Sequence, residues 1–131
     1  MKYLLGTSVR LWSLAAPERI GREGLELLAR GTEEFYLSAA SSWEIGIKSG
    51  LGKLRLPEPA ASYVPKRMAA QGIRPLAITH SHALAVSELP TYHSDPFDRL
   101  LIAQAQIEGM GILTADRAFR LYPVEIVWCR G

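Results

Sequence analysis

Cysteine occurs once in this 131-residue chain, at Cys129. A lone cysteine forms no internal disulfide and no thiolate cluster for a metal, and it fits a reducing, cytoplasmic setting. No apolar run approaches the roughly eighteen residues a membrane span needs, so no membrane association is expected. The start, Met1-Lys-Tyr-Leu-Leu-Gly6, lacks the long apolar region of a signal peptide. Repeats, low-complexity tracts and linkers are missing, which leaves one domain over residues 1–131. Acid is missing from the first seventeen residues, the first carboxylate being Glu18. A large excess of charge of one sign is missing too: a net +2 and a pI near 8.9 only mildly favour an anionic partner. What is present is 48% hydrophobic and 21% charged residues, the balance of a globular domain.

The apolar pattern alternates between short strands and helices. Strands are expected at Tyr3–Leu5, Phe35–Leu37, Arg74–Ile78, Gly111–Thr114 and Val124–Trp128. Helices are expected at Val9–Leu14, Ile20–Ala29, after Ser38 or Ser41 to about Gly50, at Ala60–Ala70, at His80–Leu89 and, briefly, at Ala115–Leu121. Such alternation predicts an α/β fold: a mainly parallel sheet of about five strands with helices on both faces. Sites in such sheets lie beyond the carboxyl ends of the strands.

The most informative stretch is His93-Ser-Asp-Pro-Phe-Asp-Arg-Leu-Leu-Ile-Ala-Gln-Ala-Gln106. Pro96 suits the first helical position, Asp95 suits the cap before it, and Asp98 falls in the first turn. Phe97, Leu100, Leu101, Ala103, Ala105 and Ile107 make the helix too apolar for a surface, so it is expected to be buried on most sides. Glu44 lies one turn into the helix after the second strand, and Asp116 follows the fourth. These acids can converge on one sheet edge. Carboxylates held together repel, and a hard cation, Mg²⁺ or Mn²⁺, relieves the cost. A site of that kind activates water and holds a phosphate for in-line displacement. Lys48, Lys53, Arg55, Lys66, Arg67 and Arg99 could attract a nucleic-acid backbone without reading its sequence.

Each residue also has a plainer role. Asp95 and Asp98 can simply cap a helix, Ser41 with Glu44 has the spacing of a capping box, and Asp116 can cap the last short helix. His80, His82 and His93 read as structural or solvent-facing, and Trp12, Trp43 and Trp128 as core or dimer-contact residues. A phosphoacceptor receiver domain needs paired acids just after the first strand, which this chain lacks.

Leu4-Leu-Gly-Thr-Ser-Val-Arg-Leu-Trp12, Ser38-Ala-Ala-Ser-Ser-Trp-Glu-Ile-Gly-Ile-Lys48, Asp95-Pro-Phe-Asp-Arg-Leu-Leu-Ile-Ala-Gln-Ala105 and Leu113-Thr-Ala-Asp-Arg-Ala-Phe119 resemble the PIN domain, and closely the VapC toxins of bacterial toxin–antitoxin pairs. The resemblance implies a PIN-like fold and a metal-dependent endoribonuclease acting on RNA. It also implies a homodimer, silenced by a VapB antitoxin. By position, Glu44, Asp98 and Asp116 match the family's metal-binding acids, and Asp95 matches an extra aspartate of the subgroup.

One position departs from the family. Where it places an aspartate directly after the first strand, this chain has Gly6, and Ser8 stands where a histidine is usual. Glycine offers a metal no oxygen, so Gly6 is a vacant ligand position. Misplacing reacting groups by about 1 Å can cost about a hundredfold in rate. Weakened or lost activity is therefore expected, and a protein that dimerises and binds an antitoxin or RNA without cutting is the alternative.

Overall fold

A computed structural model describes residues 1–129. Strand β1 (Lys2–Leu5) sits at the middle of the sheet because nearly every residue in it is apolar and buried. Tyr3 and Leu5 point to one face and Leu4 to the other, the two-residue period of a strand. The chain continues through α1 (Thr7–Ala15), α2 (Arg22–Ala29), β2 (Glu34–Ser38), α3 (Ala39–Gly50), α4 (Ala60–Gln71), β3 (Arg74–Leu76), α5 (His80–Ala85), α6 (Pro96–Glu108), β4 (Gly111–Thr114) and β5 (Ile126–Trp128). Short 3-10 turns occupy Pro17–Arg19, Val86–Glu88 and Arg117–Leu121.

The five strands run in the order β3-β2-β1-β4-β5, every pair parallel. The chain moves outward from β1 to β3, then crosses back to add β4 and β5 on β1's other side. This reversal opens a crevice at the carboxyl ends of β1 and β4, where such sheets bind ligands. Two apolar clusters fill the two faces. One gathers Leu5, Val9, Ile20, Leu37, Ile45 and Val64; the other gathers Leu4, Leu101, Ile102, Ile112 and Phe119.

The expected parallel α/β sheet is what forms; several boundaries differ for local reasons. Helix α2 begins at Arg22 rather than Ile20, because Gly21 turns the chain with φ 86°. The helix expected from His80 to Leu89 ends at Ala85 and tightens into a 3-10 turn. The last short helix is likewise a 3-10 turn. Strand β5 starts only at Ile126, since the Val124 N–H bonds back to the Tyr122 carbonyl at 2.8 Å. Helix α6 is buried from Leu101 to Ala105 only, and Ile107 is exposed.

Candidate functional site

Gly6 ends β1. Its N–H donates to the Leu113 carbonyl of β4 at 2.8 Å, and its own carbonyl receives the Arg10 N–H, opening α1. The two strands come so close here that a β-carbon on Gly6 would lie 2.8 Å from the Leu113 carbonyl oxygen. Thr7 does not cap α1 by its side chain; its hydroxyl donates to Ser41 Oγ at 3.0 Å, both residues buried. Ser41 is thus no cap either. Ser38 is the N-cap of α3, accepting from Ala40 N–H, which leaves Glu44 outside any capping box. Glu44 instead pairs with Lys48 one turn later at 3.1 Å.

Helix α6 opens as its sequence requires. Pro96 holds the first position, and Asp95 Oδ1 accepts from the N–H groups of Phe97 and Asp98 at 2.8 and 3.3 Å. On the far side, Asp116 Oδ1 caps the 3-10 turn by accepting from Ala118 N–H at 2.9 Å, while its Oδ2 faces inward. Each aspartate that could be a cap therefore is one, except Asp98, whose carboxylate is left to the cleft.

His93 was expected to be structural or solvent-facing. The structure places it among the acids: Nε2 lies 2.7 Å from Asp116 Oδ2 and 3.1 Å from Asp98 Oδ2. Its other nitrogen, Nδ1, accepts the Asp95 backbone N–H at 3.1 Å. An accepting Nδ1 leaves Nε2 as the proton-bearing nitrogen, so the ring donates toward both carboxylates. The ring stands edge-on to Phe119, and its backbone N–H is fixed by the Tyr122 hydroxyl at 3.0 Å. The one sequence signal that could have found it is its place two residues before Asp95.

Arg99 turns to the protein's own backbone. Its guanidinium donates to the carbonyls of Pro90 and Val86, each at 2.9 Å, with longer bonds to His93 and Leu89. It ties down the loop that carries His93. Of the other basic candidates, Lys66 pairs with Glu58. Lys53 and Arg55 are exposed. Of the remaining histidines, His82 is buried between Thr79, Gln104 and Glu108, and His80 is exposed. Trp43 is not core but exposed, edge-on to Phe97.

Gly6, Thr7, Ser8, Glu44, Lys48, Asp95, Asp98 and Asp116 all line one cleft of about 420 Å³. Asp98 carries its electrostatic mark. Burial, then Asp95, raise its carboxyl; His93 pulls the other way; Asp116 and Glu44 add to the rise, and the outcome is about 6. Four acids at one mouth are short of positive charge. Oxygens of Asp98 and Asp116 and the His93 nitrogen lie within 4.8 Å of one another, the separation of groups that share a small ion. The carboxylate oxygens fit a hard divalent cation. The His93 proton makes that residue a donor to the ligands rather than a ligand. A larger cleft of about 840 Å³ between α3, α4 and β3 is lined by Leu37, Val64, Met68 and Ile73 and has no ionisable side chain for this chemistry.

A family model for the PIN domain matches residues 3–125. Ribonuclease VapC22 of Mycobacterium tuberculosis is 29% identical over 118 residues, 89% of this chain and 88% of that protein. Ribonuclease VapC16 of the same organism is 61% identical over 46 residues, 35% of this chain but only 33% of that protein, so the chain aligns with about a third of that relative. Among solved structures, VapBC2 from Rickettsia felis bound to a promoter DNA fragment matches with a TM-score of 0.74 at 20% identity, covering 98% of this chain and 99% of that one. DNA-bound VapBC from Salmonella typhimurium matches at 0.70 and 20% identity, covering 97% of each. At such identities the structural likeness concerns the fold. No helix among the described residues is long and apolar enough to cross a membrane.

Proposed function

The chain belongs to the PIN-domain family, and from that premise we propose that it is a VapC-type endoribonuclease, the toxin of a toxin–antitoxin pair, with activity weakened or lost at Gly6. The observation that supports this reading is that Glu44, Asp98 and Asp116, from three distant segments, line one cleft with Gly6, Asp98 and Asp116 lying close enough to share an ion while Glu44 is paired with Lys48. Mg²⁺ or Mn²⁺ held by Asp98, Asp116 and Glu44 would supply an activated water and a grip on the scissile phosphate. The chain's own residues do the rest. Asp95 fixes the start of α6 and with it the height of Asp98. His93 Nε2–H keeps the Asp98 and Asp116 oxygens at a common separation. Lys48 balances Glu44 and offers positive charge to an incoming phosphate.

RNA is the substrate class, a VapB-type antitoxin is the silencing partner, and a homodimer is the assembly that the family relation supports. The test is cleavage of RNA by the unaltered chain and by Gly6→Asp, with Mg²⁺ or Mn²⁺. Little turnover by the first and clear metal-dependent turnover by the second is expected. A folded, Mn²⁺-binding Gly6→Asp protein that cuts no RNA overturns the reading.

Gly6 also favours a second reading, a PIN-fold protein that binds an antitoxin or RNA without cutting. Co-purification with the small product of a neighbouring gene and no turnover by the unaltered chain supports it; turnover by the unaltered chain removes it.

A further inference from the structure

Trp12 of α1 has two surroundings. It is half-buried, packing on the apolar cluster that holds Leu5 and Val9. It also lines the acidic cleft, with Ser8 of its own helix and Glu44 and Lys48 of α3. Ser8 and Trp12 are four residues apart, as are Glu44 and Lys48, so each pair shares one face of its helix. Ser8 and Glu44 are the members nearer the strand ends. Trp12 and Lys48 stand about 6 Å further along their helices.

Arg19 lies over the indole, its guanidinium carbon 4.8 Å from the ring centroid. It is exposed, and none of the ion pairs among the described residues involves it. Arg19 is not part of the cleft wall, so it covers the ring from outside and leaves the cleft-facing surface of the indole open. Phe119, also in that wall, is only 1% exposed. Trp12 is therefore the tryptophan surface that the cleft offers a ligand. An aromatic surface beside a cation is the pairing that holds single-stranded nucleic acid: the ring stacks on a base and the cation tracks the backbone. Phosphate contacts alone would hold a strand without fixing any base.

On the reading that RNA is the ligand of this cleft, we propose that Trp12 is a base-stacking subsite. An unpaired nucleobase next to the phosphate at the acids lies against the open indole surface. Arg19 steadies the ring from behind, and Lys48 meets the backbone. The strand is single at this point, because a base inside a duplex has both faces covered by its stacked neighbours. Every base has a face to stack, so the subsite selects an unpaired nucleotide rather than a sequence.

The test titrates the full chain, in Mg²⁺, with hexa-adenylate and with a strand of equal length that lacks the bases. Binding is read by calorimetry and by the Trp12 indole N–H resonance, assigned from its loss in Trp12→Phe. Hexa-adenylate is expected to move that resonance and to bind about tenfold or more tightly than the abasic strand. Trp12→Leu should bind both strands alike, and Trp12→Phe, with its smaller ring, should keep part of the difference. Equal binding of the two strands, no binding of hexa-adenylate at millimolar concentration, or an indole resonance unmoved at saturation overturns the subsite on the unaltered chain alone, whether or not the variants fold. A folded Trp12→Leu protein that keeps the full preference overturns it as well. The ribonuclease reading stands or falls separately. Gly6→Asp cutting base-bearing and abasic strands equally well overturns the subsite alone, and base-preferring binding without cutting by Gly6→Asp overturns the ribonuclease alone.

Discussion

A single ring nitrogen of His93 stands 2.7 Å from Asp116 Oδ2, and the same N–H reaches Asp98 at 3.1 Å. One ring nitrogen thus bridges two carboxylates from opposite sides of the cleft. Because Asp95 N–H occupies Nδ1, the proton on Nε2 is fixed and His93 acts on the ligands, not on the ion. Groups that orient metal ligands in this way cost about 10–100-fold in metal affinity or activity when removed. His93→Ala is expected to weaken Mn²⁺ binding by about that factor, read by calorimetry on the metal alone. An affinity equal to the unaltered chain's would remove His93 from the site.

Asp98 predicts an opposition between stability and function. Burial and the neighbouring acids push its carboxyl from the ordinary 3.8 up to about 6 in the fold, so the folded state holds the proton more tightly than the unfolded one. Stability is therefore lost as pH rises from about 4 to about 6, and the full penalty stands above that window. Asp98→Asn removes the penalty and is expected to stabilise the protein at pH 7.5 by about 1–2 kcal/mol once solvent screening is allowed for. The gain should shrink to nothing near pH 4. Added Mn²⁺ should raise the Tm of the unaltered chain and leave that of Asp98→Asn unmoved. Thermal melts at the two pH values, with and without metal, decide each point.

Gly6 answers two different constraints, and a pair of substitutions separates them. A β-carbon there presses on the Leu113 carbonyl, a backbone atom that yields only if β1 and β4 part slightly. Overpacking of this kind costs about 1–3 kcal/mol. Gly6→Ala and Gly6→Asp should both lower the denaturation midpoint by a similar amount, while only the aspartate gains metal affinity. A fully stable Gly6→Ala protein would mean that the strands have more slack at this point than their spacing indicates.

These cases also divide what the sequence reveals from what it hides. The parallel five-stranded sheet and the cap of α6 were legible because they rest on local rules: strands alternating with helices, a proline at the first helical position, an aspartate before it. The gathering of Glu44, Asp95, Asp98 and Asp116 beside Gly6 followed from strand ends sharing one edge. His93 was misread because its role depends on the path of the loop from Pro90 to Asp95, and no periodicity specifies that path. Of the two cap candidates for α3, Ser38 holds the role, and Ser41, whose S-x-x-E spacing also suited a cap, meets Thr7 thirty-four residues away instead.

Gln104 belongs to a buried polar chain that supports the site from beneath. Its Oε1 accepts from Ser38 Oγ at 2.6 Å, and its Nε2 donates toward His82 Nδ1 and the Ala77 carbonyl, each at 3.3 Å. Ser38 is the cap of α3, so the amide couples the start of the Glu44 helix to the middle of α6. Gln104→Leu fills a similar volume but strands the Ser38 hydroxyl. A buried group left without its partner costs about 1–3 kcal/mol, and denaturant unfolding should show a loss of that size with an unchanged slope.

Arg99→Lys tests the loop that presents His93. The guanidinium reaches four carbonyls, those of Val86, Leu89, Pro90 and His93, and a lysine ammonium, a compact point charge, cannot span them all. Global stability should fall only modestly, by about 1 kcal/mol, since the loop is half exposed and the lysine keeps one or two of the bonds. The local effect should be larger. Amide exchange of His93 and Asp95 is expected to quicken, because their N–H bonds, to Tyr122 Oη and to His93 Nδ1, depend on the loop staying down. Mn²⁺ affinity should drop in the same direction as in His93→Ala but by less. Exchange at these two amides as slow as in the unaltered chain would show that Tyr122, whose hydroxyl both holds His93 N–H and donates to Pro90, anchors the loop without help from Arg99.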